Sequence, residues 1–265
     1  MKILNSNIDL EDFFHRLEGS SARILMIDYD GTLAPFRVER DRALPYPEAI
    51  EAIEAIQRDG GTRIVIVSGR SLDDLIPLIG LKELPEIWGC HGWERRLADG
   101  TRVDPDLPPR ALKGLEEASA WADENGLGDR FEKKPASVAI HLRGLSEDEA
   151  ISLSERANAA WEPIAGEHGL EIKGFDGGIE MRIPGRDKGS AIDAILKDAR
   201  GDAVSSYLGD DLTDEDAFRA LAGRGLSVLV NSKLRPTEAD IWIEPPAGLV
   251  DFLKRWAKAA GGSDE

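Results

Sequence analysis

Two aspartates separated by a single residue, Asp28 and Asp30, follow the apolar run Ile24-Leu25-Met26-Ile27 in the segment Asp28-Tyr29-Asp30-Gly31-Thr32. Where a strand gives way to a turn, side chains two residues apart can face the same rim. One carboxylate can then attack an electrophile while the other moves a proton. A second apolar run, Ile64-Val65-Ile66-Val67, ends in Ser68-Gly69-Arg70. A later expected strand, Ser205 to Leu208, ends in Gly209-Asp210-Asp211-Leu212-Thr213-Asp214. Carboxylates gathered in this way raise one another's pKa unless a cation sits among them, and hard oxygen ligands favour Mg2+ or Ca2+. A Mg2+ that keeps some of its waters is the usual companion of a phosphate group. Lys188, in Asp187-Lys188-Gly189-Ser190, is expected just before a helix, where its ammonium and the helix amides can hold a phosphate oxygen.

These residue types supply every part that phosphoryl transfer needs. Asp28 can take the phosphoryl group as an acyl phosphate. Asp30 can protonate the leaving oxygen and then deprotonate the water that hydrolyses the intermediate. Ser68 and Lys188 can stabilise the equatorial oxygens as charge spreads over them. Each motif alone has a plain structural reading, such as an Asx turn for the aspartates or a helix start for the acidic segment. Their joint occurrence, in this order and each after an expected buried strand, is what favours chemistry.

The elements that must position them follow from periodicity. Short apolar runs alternate with helical patterns, including one from Pro47 to Arg58 with Ile50, Ile53 and Ile56, and one from about Leu72 to Ile79 with Ser71 as N-cap. Strand and helix in alternation imply right-handed parallel crossovers, with all strand carboxyl ends on one edge. The pattern resumes with a helix at 191–199, the strand at 205–208, a helix from Asp214 and a strand from Leu226 to Val230. Between lies a different texture: a helix with Leu112, Leu115 and Trp121, a strand-like Ser137 to Arg143, and a helix from Ser146 to about His168. Two short strands flank Asp176-Gly177-Gly178, a hairpin-turn signal. The reading is an α/β protein, a Rossmann-like parallel-sheet core (1–104 and 185–265) with an inserted α+β cap domain (105–184), its hinges marked by Pro105, Pro108, Pro109 and Pro184. The polar end Gly261 to Glu265 is expected to fray.

Composition narrows the function classes. A formal net charge of −17 and a pI near 4.7 repel nucleic acid and anionic lipid, so neither is an expected partner. A phosphorylated substrate must therefore meet a metal or a local cation. The one cysteine, Cys90, excludes an intramolecular disulfide framework. No apolar run approaches a membrane span and the first residues lack a signal-peptide pattern, so a cytoplasmic setting without membrane is expected.

DYDGTL at 28–33, SGR at 68–70, DKG at 187–189 and GDDLTDEDAF at 209–218 resemble the four motifs of the haloacid dehalogenase (HAD) phosphatases. That resemblance covers almost the whole chain. It implies that Asp28 is the nucleophile and Asp30 the acid/base. It also implies a Mg2+ cofactor held by the Asp28 carboxylate, the Asp30 carbonyl and Asp210, with Asp214 supporting through the metal's water shell.

Finer features resemble the trehalose-6-phosphate phosphatases within that superfamily: Gly89-Cys90-His91-Gly92, Glu132-Lys133-Lys134, Ser137, His141-Leu142-Arg143, and Gly178 to Arg182 followed by Pro184. The resemblance implies a small-molecule sugar phosphate as substrate, with Glu132, Lys134 and Glu180 hydrogen-bonding sugar hydroxyls. Arg70 and Arg143 are further substrate-binding candidates, Arg143 anchoring either cap or phosphate, while His141 is expected to be structural. A trehalose-6-phosphate synthase of the same pathway is a candidate partner. Two alternatives remain at this stage: another sugar phosphate, such as sucrose 6-phosphate, a glucosyl or mannosyl phosphoglycerate or a glycosylglycerol phosphate, and a non-catalytic regulatory domain of the same fold.

Overall fold

The computed structural model describes residues 1–37, 39–103, 105–175, 177–199 and 203–261, Arg40 by its backbone alone. The chain divides into two compact units, Met1–Arg102 together with Asp187–Glu265, and Val103–Arg186. The second is slightly wider at both ends than the 105–184 segment set off by its prolines.

The chain begins with β1 (Lys2–Ile3), α1 (Leu10–Gly19), β2 (Arg23–Ile27), α2 (Pro47–Asp59), β3 (Thr62–Val67), α3 (Leu72–Leu75), β4 (Glu86–Gly89), β5 (Glu94–Arg96) and β6 (Arg102–Val103). The inserted unit holds α4 (Pro109–Glu124), β7 (Phe131–Lys134), β8 (Ser137–His141), α5 (Glu147–His168), β9 (Glu171–Phe175) and β10 (Gly178–Arg182). The chain returns with α6 (Lys188–Lys197), β11 (Val204–Gly209), α7 (Asp214–Leu221), β12 (Leu226–Val230), β13 (Ile241–Ile243) and α8 (Ala247–Ala260). None of the described helices is long and apolar enough to cross a membrane.

The large sheet has the order β1-β13-β12-β11-β2-β3-β4-β5-β6. Strands β13, β12, β11, β2, β3 and β4 pair in parallel, and β1 and β5 add antiparallel neighbours. Because β2 and β3 are covered on both faces, their side chains alternate between two cores. Leu25, Ile27, Ile64 and Ile66 join Phe13, Phe14, Ile53, Ile56, Phe252 and Trp256 from α1, α2 and α8. Ile24, Met26, Val65 and Val67 join Ile192, Ile195, Phe218 and Leu221 from α6 and α7. Each such buried aliphatic side chain stabilises by roughly 1.5–3 kcal/mol, and a one-residue slip would exchange the two sets. Register is therefore firmly specified where β2 lies between β3 and β11.

The inserted unit carries a four-stranded antiparallel sheet, order β7-β8-β10-β9. Val138, Ile140, Ile179 and Met181 are buried on one face, and α4 and α5 pack against β8 and β10. The capping box of Ser146 and Glu149 starts α5 and left-handed Gly169 ends it, in agreement with its expected bounds. Strands β9 and β10 form the expected antiparallel pair; Asp176 of the expected turn lies outside the described residues, as do residues 262–265 of the polar end. Lys188 is the first residue of α6, inside the helix rather than before it, because Asp187 takes the N-cap position and accepts a hydrogen bond from Ser190 N at 2.8 Å.

Candidate active site

The site is built where β2, β3 and β11 end. Asp28 is fixed at the end of the ladder by its N–H, which donates to Leu208 O at 2.9 Å. The following turn closes on itself, Gly31 N donating to Ala34 O at 2.7 Å and Ala34 N to Tyr29 O at 2.9 Å. Gly31 has φ +83°, and a Cβ there would lie 2.0 Å from Asp210 Oδ2. Only glycine satisfies both the left-handed backbone and that close approach.

Lys188, 3% exposed, is the hub of the buried charges. Its Nζ donates to Asp28 Oδ1 at 2.7 Å and to Asp214 Oδ1 at 2.6 Å. Burial alone would lower the lysine pKa, but the charges of Asp214 and Asp28 hold it above the usual range. Asp28 is pushed up to about 7, by burial first and by Asp214 and Asp30 besides, against the pull of Lys188. Asp210 is raised well above the carboxylate range by burial, Asp28 and Asp214.

Asp28, Asp210 and Asp214 each present an oxygen within 4.8 Å of the others, and the three are not equivalent. Asp214 is saturated: Lys188 Nζ and Tyr207 Oη donate to Oδ1, while the N–H groups of Asp210 and Asp211 donate to Oδ2 at 3.0 and 2.9 Å. Among the described residues the Asp210 carboxylate receives one donor, the Thr32 hydroxyl at a long 3.5 Å. Such under-satisfied, mutually repelling buried oxygens are the donor set that a hard divalent cation requires.

At the end of β3, Ser68 is 1% exposed and its Oγ accepts from Arg70 N at 3.1 Å. Arg70, a candidate for substrate contact, forks onto Asp30, Nε to Oδ2 and Nη2 to Oδ1, each at 2.6 Å. The next strand end braces this loop: Cys90 N donates to Arg70 O at 2.7 Å and His91 N to Ser68 O at 3.0 Å. Cys90, His91 and Gly92 are successive positive-φ residues, and the His91 ring lies so close to Gly69 that a Cβ there would come within 2.6 Å.

In the inserted unit, Glu132 and Glu180 both register against Ala139, so the two acids share one face across a small residue. Lys134 registers against Ser137 on that same face. Lys134 Nζ donates to Glu180 Oε1 at 3.1 Å and lies 3.5 Å from Glu132 Oε2. Ser137 Oγ donates to Glu180 Oε1 at 2.8 Å. His141 Nε2 is 2.9 Å from Glu132 Oε2, its ring edge-on to Phe175. Arg143 follows β8; its carbonyl accepts from Arg130 Nη1 at 2.9 Å and its side chain lies against Gly177. Glu132, Lys134, Glu180 and His141 are thus one cluster.

A family model described as trehalose-phosphatase matches residues 26–241. The chain belongs to the trehalose-phosphatase family. A trehalose-phosphate phosphatase of Mycobacterium marinum is 32% identical over 246 residues, covering 88% of this chain and 61% of that protein. A trehalose 6-phosphate phosphatase of Zea mays is 28% identical over 262 residues, covering 90% and 70%. This chain thus spans about three fifths of the mycobacterial relative's length. The trehalose-6-phosphate phosphatase C-terminal domain of C. albicans has the same fold, with a TM-score of 0.81 at 20% identity over 97% of this chain and 99% of that chain.

Four contributors in this trehalose-phosphatase family member lie outside the residues singled out from the sequence. Tyr207 stands two residues before Gly209 in a strand of otherwise small and apolar residues, and a lone phenol there was the available signal. Thr32, within the first motif, supplies the hydroxyl next to Asp210. Asn231 and Arg235, after β12, reach the backbone of Asp210, and nothing in their local sequence announces it.

Proposed function

We propose that this chain hydrolyses trehalose 6-phosphate to trehalose and phosphate through an aspartyl-phosphate on Asp28, with Mg2+ as cofactor. The observation that supports it best is the buried Asp28 carboxylate with one oxygen on Lys188, beside Asp210 and Asp214, in a chain of the trehalose-phosphatase family.

In the first half-reaction the Asp28 oxygen attacks phosphorus, the bond from phosphorus to the sugar oxygen breaks, and Asp30 gives that oxygen its proton. In the second, Asp30 takes a proton from water as the water oxygen attacks phosphorus; the acyl phosphate bond breaks and Asp28 is regenerated. Lys188 uses two of its three ammonium hydrogens on Asp28 and Asp214, which leaves one for a phosphate oxygen. The Ser68 hydroxyl is a second donor for the same group.

Asp28 and Asp210, with the Asp30 carbonyl, would hold Mg2+, and Asp214, its oxygens already filled, acts by orienting Lys188 and the Asp210 loop. When bound, the ion neutralises charge on the transferring phosphoryl group. Glu132, Lys134 and Glu180 serve as the sugar-recognising cluster, since charged hydrogen-bonding groups discriminate strongly among polyhydroxylated ligands. A trehalose-6-phosphate synthase supplies the substrate, and a cytoplasmic setting suits both.

Phosphate release from trehalose 6-phosphate, sucrose 6-phosphate, glucose 6-phosphate and glucosyl phosphoglycerate, with Mg2+ and with chelator, tests the proposal. A strong Mg2+-dependent preference for trehalose 6-phosphate is expected. Preference for another member would discard the substrate and keep the chemistry; inactivity on all would point to a regulatory domain.

A further inference from the structure

Asp210 is held from behind by a residue outside every motif named above. Arg235 lies in the segment between β12 and β13, and its guanidinium gathers backbone carbonyls. Nε and Nη2 donate to Asp210 O at 3.3 and 3.1 Å, and Nη2 also donates to Asp211 O at 2.8 Å. Nη1 donates to Pro236 O at 2.9 Å and pairs with Glu215 Oε1 in the first turn of α7. The other Glu215 oxygen accepts from Glu238 N at 2.8 Å. Asn231 Nδ2 adds a third donor to Asp210 O at 3.3 Å.

The consequence concerns direction. The N–H of Asp210 is held by Asp214 Oδ2 and its C=O by Arg235 and Asn231, so both peptide groups flanking its Cα are fixed by side chains. With the backbone locked, the carboxylate is confined to the space against Gly31, beside Asp28. Side chains beyond the direct ligands fix ligand orientation, and a carboxylate displaced by a fraction of an ångström binds metal less well. The planar fork matters as well as the charge, because one guanidinium reaches two successive carbonyls and a carboxylate in fixed directions that an ammonium cannot reproduce.

We infer that Arg235, paired with Glu215, is a positioning residue for divalent-cation binding: it acts through the Asp210 backbone and sets the affinity of the site for Mg2+. This rests on the Mg2+-dependent reading proposed above. Removing it should weaken the site without removing any group that touches the reacting atoms.

The test is calorimetric titration of Mg2+ into wild-type protein and into Arg235→Met, Arg235→Lys and Glu215→Gln, with phosphate release measured over the same Mg2+ range and metal-free unfolding followed by circular dichroism. The wild-type titration checks the underlying reading separately, since a wild-type protein that binds no Mg2+ defeats that reading. Given wild-type binding, Arg235→Met should raise the Mg2+ dissociation constant by about 10- to 100-fold, with kcat recovering at saturating Mg2+. Arg235→Lys should show a smaller rise and Glu215→Gln a smaller one again. Unchanged Mg2+ affinity in the Arg235 variants would overturn the inference, as would a loss of kcat that excess Mg2+ does not restore. Should Arg235→Met fail to fold, Arg235→Lys decides alone: wild-type affinity overturns the inference, weakened affinity with the metal-free fold intact supports it.

Discussion

Arg70 grips both carboxylate oxygens of Asp30 in a two-pronged contact, each hydrogen bond 2.6 Å long. The Arg70 side chain is 4% exposed and that of Asp30 27%, so the pair is sheltered on the arginine side and more open on the aspartate side. With both oxygens accepting from Arg70, Asp30 is placed as an acceptor, which suits removal of a proton from water. To donate to a leaving oxygen it must free one oxygen and carry a proton there.

If Asp30 is the acid/base proposed above, Arg70 should fix its orientation. Arg70→Ala should lower kcat on any phosphate monoester by roughly 10- to 100-fold, part of what a positioned acid/base contributes, with a smaller change in KM. Arg70→Lys should recover only part, because one ammonium cannot fork. Steady-state kinetics decide it; an unchanged kcat with a raised KM would make Arg70 a substrate-binding residue instead.

Metal and pH should be linked at Asp28. Its folded-state pKa, pushed up to about 7 from 3.8, means that in metal-free protein its stabilising contribution is complete below about pH 4 and is lost as pH rises through about 7. Mg2+ bound there would take the place of that proton and relieve the repulsion among Asp28, Asp210 and Asp214. Thermal unfolding should thus show a larger Mg2+ stabilisation near pH 8 than near pH 5, abolished by chelator in both. Equal shifts at the two pH values would contradict a site at these carboxylates.

Selectivity should reside in the Glu180 cluster. Glu180→Gln loosens the contacts with Lys134 and Ser137 and removes an acceptor for sugar hydroxyls. Its kcat/KM for trehalose 6-phosphate should fall by about 100-fold or more, while that for p-nitrophenyl phosphate stays within a few-fold. Equal losses on the two substrates would make Glu180 a structural residue.

The core was legible in the sequence because its strands are buried on both faces: Ile24 to Ile27 and Ile64 to Val67 read as uninterrupted apolar runs, and the chemistry follows each directly. Strands β1, β5, β6 and β13 are two or three residues long, too short for any periodicity, and β5 is the charged Glu94-Arg95-Arg96. Helices α1 and α8 carry clear apolar stripes, Phe13, Phe14 and Leu17 facing Phe252 and Trp256, yet they hold no motif, and a reading led by chemistry passes over them. For Asp28, Asp30, Lys188 and Asp210, residue type and order sufficed to propose a site. The grip of Arg70 on Asp30, the contact of Lys188 with Asp214 and the reach of Arg235 to Asp210 each join residues far apart in the chain, where no local pattern records the contact.

The most direct test of the account traps the phosphoryl group on the protein. Enzyme mixed with Mg2+ and trehalose 6-phosphate is quenched in acid, reduced with borohydride and digested, and the peptide spanning Ile24 to Leu33 is sequenced by mass spectrometry. Substrate-dependent conversion of Asp28 to homoserine, the reduction product of an acyl phosphate, is expected, with neither conversion nor turnover in Asp28→Asn. Phosphate release with Asp28 unmodified, or modification of another carboxylate in its place, would contradict it.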